Sequence, residues 1–513
     1  MVFPAAMTRF SIGIVCCAIA VAALIAGLTR RKARAPDVFL ITIDTLRSDH
    51  LHCYGDDSIQ TPAIDGLAKD GIRFAQAFTP SPVTNTSHVT ILTGLLPSSH
   101  GVTDFAIPLA KTHVTWAELL KRRGYHTAAL IGSVMLDSNT LAPGLNRGFD
   151  FYDNFPRHSS VRTRWGRLER RGMVVVQHAE KWLDENPVGP HFVWVHLYDP
   201  HDPYEPPPPY SQKYKAHLYD GEIAYTDSAF GNFVAYLKKH GQYENAIIIV
   251  VGDHGEGLGQ HQEDTHGIFL YDSTTHVPLI VKLPDEVDAG TVVGAQVRTT
   301  DILPTVLDLL RIPAPTALEG ASLQPYFAGT ERGGRPAFGE TNYPLDFGWA
   351  PLRSLRAQGF KFIEAPRPEL YQLRSDPGEL KNLYQQSEAA DQRSLAMQAE
   401  LEAKIPSVTS ATDVSLPDPK DKIEEQNLFH AAMQAQGDDR PDQARQALDA
   451  VLKLDPKSSM ALQQLGELDL QAGDYAAAVV YLKKAHDLRP DDAAIALEEV
   501  KASEKSGDPT KAR

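Results

Sequence analysis

Cysteine is scarce in this chain, and its scarcity excludes two kinds of structure. The 513 residues contain three cysteines, at positions 16, 17 and 53. Cys16 and Cys17 lie within an apolar segment, so Cys53 stands alone in the rest of the sequence. We therefore expect neither a disulfide framework nor a cysteine-based metal site in the folded part.

An excess of positive charge is also lacking. The chain carries 65 acidic and 50 basic side chains, for a formal net charge of -15 at pH 7. A protein that binds nucleic acid needs a basic surface, because binding neutralises phosphates and releases counterions. We therefore expect no nucleic acid among its partners. The length exceeds that of one ordinary core, which indicates a large domain with a smaller one beside it.

Charged side chains are absent from residues 10–28. A run of about 20 apolar helical residues can cross the hydrocarbon core of a bilayer. We interpret residues 1–35 as an N-terminal transmembrane helix with a basic flank, which predicts a single-pass membrane protein. A cleaved signal peptide is the alternative, but no small-x-small cleavage site follows the run before Arg30.

Four apolar runs of strand length occupy residues 37–44, 126–132, 191–198 and 246–253. Segments of helical character separate the last three runs. Apolar strands that alternate with helices are typical of an α/β fold, with a mainly parallel sheet sandwiched by helices. Aspartates lie at the carboxyl ends of three of the runs, at Asp44, at Asp253 and, directly after the run at 191–198, at Asp199. One aspartate alone would only indicate a turn, but the carboxyl ends of such strands are where α/β sheets bind ligands.

Asp44, Thr84, Asp253 and His254 form the predicted centre. Two carboxylates, an imidazole and a hydroxyl suit a divalent metal ion such as Zn, Mn, Mg or Ca. Thr84 begins a helical pattern behind Pro82, and a helix N-terminus can hold an anionic ester. By itself, a threonine before a helix would indicate only an N-cap.

The composition changes after Pro406. A polar linker at 406–423 leads into a tract rich in Ala and Leu at 424–513. Pro456 and Pro490 lie one tetratricopeptide period apart, and the tract contains two full repeats and a partial third. Because about three repeats are needed to bury a continuous core, we expect this module to pack on the preceding domain or on a protein partner.

Six ordered motifs within residues 37–384 resemble the sulfatase branch of the alkaline phosphatase superfamily. They read ITIDTLRSDHLHCYG at 41–55, SPVTNTSHVTILTGLLPSSHGV at 81–102, HLYDPHDPYEPP at 196–207, VVGDHGEGLGQH at 250–261, THGIFLYDSTTHVPLIV at 265–281 and LYQLRSDPGELKNL at 370–383. The resemblance implies a sulfatase-like catalytic domain at 36–405 that acts on an anionic ester, with lipid-linked and glycan-linked esters among the expected substrates.

The resemblance also implies roles for individual residues. By position in the motifs, Asp44, Thr84, Asp253 and His254 are the metal ligands, and Thr84 is also the nucleophile. His201 matches a histidine that contacts substrate. Histidine is a common metal ligand, although in a polar loop it is as often a solvated turn residue. The remaining histidine candidates are His88 as a catalytic residue, with His261 and His266 as further candidates.

The chain departs from the sulfatase pattern at the nucleophile. Sulfatases oxidise a Cys or Ser in the pattern C/S-x-P-x-R to formylglycine, whereas residues 84–88 read TNTSH. A threonine carries a methyl group on the carbon to be oxidised, so the aldehyde cannot form. Thr45 replaces an acidic ligand and His254 replaces an asparagine. Both changes move the site toward phosphodiesterases, phosphoethanolamine transferases and lipoteichoic acid synthases.

These residues predict a metal-dependent hydrolase that cleaves phosphate or sulfate esters through a covalent Thr84 intermediate, with phosphoesters preferred. Two alternatives stay open. One is a membrane-associated phosphoryl-group transferase acting on a lipid or glycan, which differs only in what resolves the intermediate. The other is an inactive scaffold that binds partners through the tetratricopeptide module, although a scaffold needs neither metal ligands nor a nucleophile.

The two indications of membrane orientation disagree. Arg30, Arg31, Lys32 and Arg34 follow the apolar run, and the positive-inside rule would place them and the catalytic domain in the cytoplasm. The family resemblance favours an exported enzyme. We predict an extracytoplasmic catalytic domain.

Overall fold

The computed structural model describes residues 35–156, 169–406 and 416–507. Within these ranges, no helix has both the length and the apolar character required to cross a membrane. The transmembrane helix predicted at 10–28 lies outside them.

The catalytic domain is built on an eight-stranded sheet with the strand order β4-β3-β5-β1-β6-β7-β2-β8. Only β7 runs antiparallel to its neighbours, which confirms the predicted mainly parallel sheet. Every residue of β1, β5 and β6 is buried, as expected for strands covered on both faces. The strands are β1 Asp37–Ile43, β2 Ile72–Phe78, β3 His126–Ile131, β4 Phe151–Tyr152, β5 His191–Leu197, β6 Ala246–Gly252, β7 His276–Lys282 and β8 Thr291–Arg298.

Helices cover both faces of this sheet. Alternate residues of β1 point to opposite faces: Phe39 and Ile41 pack with α1, α5 and α7, whereas Val38 and Leu40 pack with α2, α4 and α9. The helices of the catalytic domain are α1 Pro62–Asp70, α2 Thr84–Thr93, α3 Pro97–His100, α4 Trp116–Lys121, α5 Gly172–Glu185, α6 Tyr210–Lys213, α7 Leu218–Lys239, α8 Asp272–Thr275, α9 Ile302–Leu309, α10 Gln324–Phe327 and α11 Glu388–Lys404.

A second sheet, which the sequence analysis did not predict, follows the first. Its four antiparallel strands lie in the order β12-β11-β10-β9. Leu355 and Phe362 from this sheet pack against Met397 and Leu401 of α11 in a separate small core. The strands are β9 Ala337–Thr341, β10 Leu352–Ala357, β11 Phe360–Glu364 and β12 Glu369–Gln372.

The C-terminal module consists of antiparallel helix pairs. Gly466 allows two of these helices to approach closely, since a Cβ atom there would lie 2.5 Å from Leu482 Cγ. The module also packs on the catalytic domain, where the ring of Phe429 lies 5.6 Å from that of Phe347, centroid to centroid. The described helices are α12 Ile423–Gly437, α13 Pro441–Leu454, α14 Ser459–Ala472, α15 Tyr475–Leu488 and α16 Ala493–Ser506.

Candidate metal centre and active site

The fold brings the four predicted residues to one edge of the main sheet. Asp44 directly follows β1, and Asp253 and His254 directly follow β6, which is parallel to β1. Thr84 is the first residue of α2 and is reached by a five-residue loop from the carboxyl end of β2. None of the four is more than 3% exposed. Their common location follows from strand direction, because parallel strands end at the same edge.

His254 Nε2 lies at the centre of the group. It is 3.1 Å from Thr84 Oγ1, 3.5 Å from Asp44 Oδ1 and 3.5 Å from Asp253 Oδ2. The ligand atoms of Asp44, Asp253 and His254 all lie within 4.8 Å of one another. This separation matches donor atoms arranged around one small cation.

The carboxylates of this group have the features expected of metal ligands. Both oxygens of Asp44 and Oδ2 of Asp253 are buried, and none has a hydrogen-bond partner among the described residues. Burial raises the pKa of both carboxyls, and the charge of Asp44 raises the pKa of Asp253 further. A buried, unpaired carboxylate is costly, and a divalent cation would supply the missing partner. The donor set of oxygen and nitrogen therefore fits Zn, Mn, Mg or Ca.

Backbone groups orient the other oxygen of Asp253. Its Oδ1 accepts the N–H of Thr45 at 3.2 Å and the N–H of His254 at 2.8 Å, which leaves Oδ2 facing the cluster. Thr45 adopts a left-handed backbone with φ of 52°, an unfavourable conformation for a β-branched residue. The strained turn directs its N–H toward the Asp253 carboxylate.

The imidazole of His254 is neutral. Burial lowers its pKa to about 3. The carbonyl oxygen of Gly255 lies 3.0 Å from Nδ1 and can only accept a hydrogen bond, so Nδ1 carries the proton. Nε2 therefore presents a lone pair to the cluster, as a metal ligand requires.

Thr84 does not act as an N-cap. Val83 occupies the N-cap position of α2, and the Thr84 hydroxyl instead contacts His254. The first N–H groups of a helix have no partner within the helix, and the helix dipole is positive at this end. Thr84 Oγ1 thus lies beside both the predicted metal ligands and an anion-binding helix end.

His88 lies behind Thr84 and is fully buried. Its Nδ1 donates to the carbonyl oxygen of Thr84 at 2.7 Å, so its Nε2 accepts from the hydroxyl of Thr42 at 3.0 Å. Its Nδ1 also lies 3.5 Å from Asp253 Oδ2. His88 therefore supports the first turn of α2, and a catalytic role for it stays a prediction.

His196, in β5, belongs to the cluster and was missed by the sequence analysis. The single hydroxyl proton of Thr42 is donated to His88, so both Trp194 Nε1 at 2.9 Å and His196 Nδ1 at 3.1 Å donate to Thr42 Oγ1. The Nε2 of His196 then carries a lone pair, 3.4 Å from Asp44 Oδ2. The sequence could have indicated it, because His196 lies near the carboxyl end of a predicted strand and begins the motif that contains His201.

A cavity of about 300 Å³ opens above Thr84. His201 and His266 both line it. The His266 ring lies 4.4 Å from that of His254 and 5.0 Å from that of His201, centroid to centroid. Glu256 Oε1 lies 2.9 Å from His266 Nδ1 and orients the ring.

Two predicted polar residues lie elsewhere. The ring of His261 stacks on Tyr271 with centroids 3.5 Å apart, and His261 is not among the residues that line the cavity. The carboxylate of Asp199 accepts the N–H of Gly172 at 2.8 Å and lies 3.5 Å from Arg171 Nη1. Asp199 therefore anchors the start of α5 and lies beside Arg171, a cation that it shares with Glu222.

Comparisons with known proteins agree with this architecture. A family model described as Sulfatase matches residues 36–312, more than half of the chain. A model described as N-sulphoglucosamine sulphohydrolase, C-terminal, matches residues 265–407, and a tetratricopeptide repeat model matches residues 469–513.

Individual relatives include both sulfatases and phosphonate hydrolases. An N-acetylglucosamine-6-O-sulfatase of Bacteroides thetaiotaomicron is 23% identical, over 72% of this chain and 86% of its own. A multifunctional alkaline phosphatase superfamily protein of Trinickia caryophylli is 22% identical, over 68% of this chain and 91% of its own. The crystal structure of a phosphonate monoester hydrolase of Agrobacterium radiobacter superposes with a TM-score of 0.63 at 22% identity, covering 72% of this chain and 95% of that one.

The family model covers the strands and loops that carry Asp44, Thr84, Asp253 and His254, and the module that follows is recognised separately. The chain belongs to the sulfatase family and carries tetratricopeptide repeats at its C-terminus.

Proposed function

We propose that this sulfatase-family hydrolase cleaves phosphoesters through a covalent ester of Thr84. The observation that carries the proposal is the position of Thr84 Oγ1, which lies at the N-terminus of α2 and 3.1 Å from His254 Nε2. Similar proteins with names that refer to phosphonates and to sulfates support an ester hydrolase with an anionic substrate.

The residues would act in the following way. Asp44, Thr84, Asp253 and His254 would hold a divalent metal ion, which supplies Lewis acidity that favours the alkoxide of Thr84. Thr84 Oγ1 attacks phosphorus in line, and the bond from phosphorus to the leaving oxygen breaks. The N–H groups at the start of α2 hold the equatorial oxygens of phosphorus. His201, in the wall of the cavity, contacts the leaving oxygen, which takes up a proton. Water then attacks phosphorus, the bond from phosphorus to Thr84 Oγ1 breaks, and a proton from the water restores the threonine hydroxyl.

The preference for phosphorus rests on the chemistry of threonine. Sulfatases with formylglycine expel sulfate with the second hydroxyl of a hydrated aldehyde, whereas Thr84 offers a single oxygen. A threonyl ester must be cleaved by attack at its central atom, a route associated with phosphorus in this superfamily. We therefore expect phosphate esters to react faster than sulfate esters.

A substrate panel tests this proposal. The purified full chain would be assayed with Zn²⁺, Mn²⁺, Mg²⁺ or Ca²⁺ on 4-nitrophenyl phosphate monoesters, phosphate diesters, phosphonates and the matching sulfate. We expect the largest kcat/KM on one of the phosphorus esters. Faster cleavage of the aryl sulfate would refute the preference, and activity equal to that of Thr84→Ala on every ester would favour the scaffold alternative.

We also propose that residues 10–28 anchor the chain and that the catalytic domain lies outside the cytoplasm. The uncharged apolar run and the family resemblance support this topology. Alkaline phosphatase and a fluorescent protein that matures only in the cytoplasm would each be fused after Arg513. Activity of the phosphatase fusion supports export, and fluorescence of the other fusion alone contradicts it.

A further inference from the structure

The C-terminal module supplies part of the wall of the cavity above Thr84. Helices α12 and α14 both reach it, although the cavity opens at the edge of the catalytic sheet. The residues of the module that line it are Gln426, Phe429, His430, Met433, Met460 and Gln464.

Polar contacts fix α12 against loops of the catalytic domain. Gln426 Nε2 donates to Thr265 Oγ1 at 3.1 Å, immediately before His266. His430 Nε2 lies 2.7 Å from Oδ2 of Asp202, immediately after His201. The module is therefore bonded to both loops that bring histidines into the cavity.

The wall of the cavity is largely apolar. Phe105, Met135, Leu141 and Phe347 from the catalytic domain line it together with the residues of the module. No lysine or arginine occurs among the described residues that line the cavity. Aromatic rings and flexible methionines fit apolar groups of varied shape, whereas a sulfated sugar presents hydroxyls and several charges.

We propose that the module forms a specificity pocket for the organic group of the ester, and that this group is an aryl or alkyl chain. The pocket is continuous with Thr84, so an ester held at Thr84 must place an organic substituent against this wall. The inference rests on the proposed function in taking Thr84 as the reacting residue. Phe429 and Met433 are the specificity-determining residues contributed by α12.

Binding of inert ligands tests the pocket without turnover. The full chain with Thr84→Ala would be titrated calorimetrically, in the presence of Mn²⁺, with methyl, butyl, hexyl and octyl phosphonate and with the matching sulfonates. We expect the Kd to fall with chain length, by up to about fourfold per methylene that is fully buried. We expect Met433→Ala, added to Thr84→Ala, to reduce the ratio of methyl to octyl Kd by about tenfold.

Matched variants separate the pocket from the stability of the module. Met433 is 41% exposed, so its truncation leaves the core of the module intact, whereas Phe429 is only 4% exposed. Val480→Ala, at a 53% exposed position on α15 outside the cavity, should leave the dependence on chain length unchanged. Phe429→Leu provides a second variant that keeps an apolar core residue, and it should weaken the dependence in the same direction.

Each outcome bears on one of the two proposals. A Kd independent of chain length, or no binding of either series, overturns the apolar pocket. A dependence on chain length that survives both Met433→Ala and Phe429→Leu overturns the contribution of the module. Chain-length dependence for sulfonates alone would leave the pocket standing and contradict the preference for phosphorus.

Discussion

The two sides of the active site are built in opposite ways. The floor, formed by Asp44, Thr84, Asp253 and His254, is polar, buried and placed by strand ends of the catalytic sheet. The roof, formed by α12 and α14, combines the apolar side chains Phe429, Met433 and Met460 with polar ones and comes from the module whose first helix begins at Ile423. In the function proposed above, the floor carries out the ester chemistry and the roof selects the substrate. Changes in the floor should therefore alter metal binding and reaction rate, and changes in the roof should alter substrate preference.

The largest effect is expected at Thr84, the proposed nucleophile. Thr84→Ala should reduce kcat/KM by at least about a thousandfold, because the covalent ester can no longer form. Thr84→Ser keeps the hydroxyl and should retain most of the activity. Steady-state assays on the best phosphorus ester measure both variants. Near-full activity of Thr84→Ala would show that the reaction does not proceed through this residue.

The next largest effect is expected on metal affinity. This measurement should distinguish two aspartates, Asp253 and Asp199, at the same edge of the sheet. Asp253→Asn removes a charge that no cation of the described protein neutralises, so we expect metal affinity to fall by at least about a hundredfold. Asp199→Asn is the matched control, because Arg171 already pairs with Asp199. Metal content after dialysis and calorimetric titration measure both. Equal losses in the two variants would contradict the assignment of Asp253.

His196 should have a smaller effect on the same measurement. Its Nε2 lone pair lies 3.4 Å from Asp44 Oδ2 and can act as a further donor to the cation, so we expect His196→Ala to weaken metal binding by about tenfold. His178→Ala is the control, because His178 lies on α5 and pairs with Asp153, away from the metal ligands. An unchanged metal affinity in His196→Ala would show that the hydrogen bonds of Thr42 with His88, Trp194 and His196 support packing alone.

The smallest effect is expected where the roof meets the floor. His430→Ala removes a 2.7 Å contact to Asp202 beside His201, so we expect kcat/KM to fall by about threefold to tenfold while metal content stays unchanged. His430→Gln should restore part of the lost kcat/KM. His486→Ala is the control, at a histidine paired with Glu499 in the same module, and it should leave kcat/KM unchanged. A double-mutant cycle with Asp202→Asn measures the coupling. Additive losses would contradict a role for this contact.

Much of the floor was predictable because its residues lie in short motifs next to apolar runs. Asp44 and Asp253 directly follow strands that pair in parallel. The local sequence pattern and the direction of the strands were therefore sufficient to predict that the two residues meet. His196 and Asp199 show where that reasoning fails. Both lie near the end of the same strand. Contacts with distant segments decide which of them faces the centre, because Asp199 lies beside Arg171 whereas His196 is held by a hydrogen bond with Thr42.

The sequence by itself determined the α/β sheet, the helical module and the residues at the strand ends. Each of these follows from a local period or from the chemistry of one side chain. Only the tertiary structure decided that His196 faces Asp44, that His261 stacks on Tyr271 and that α12 covers the cavity. Those features depend on contacts between segments far apart in the chain, and no local period in the sequence reports how two such surfaces will pack.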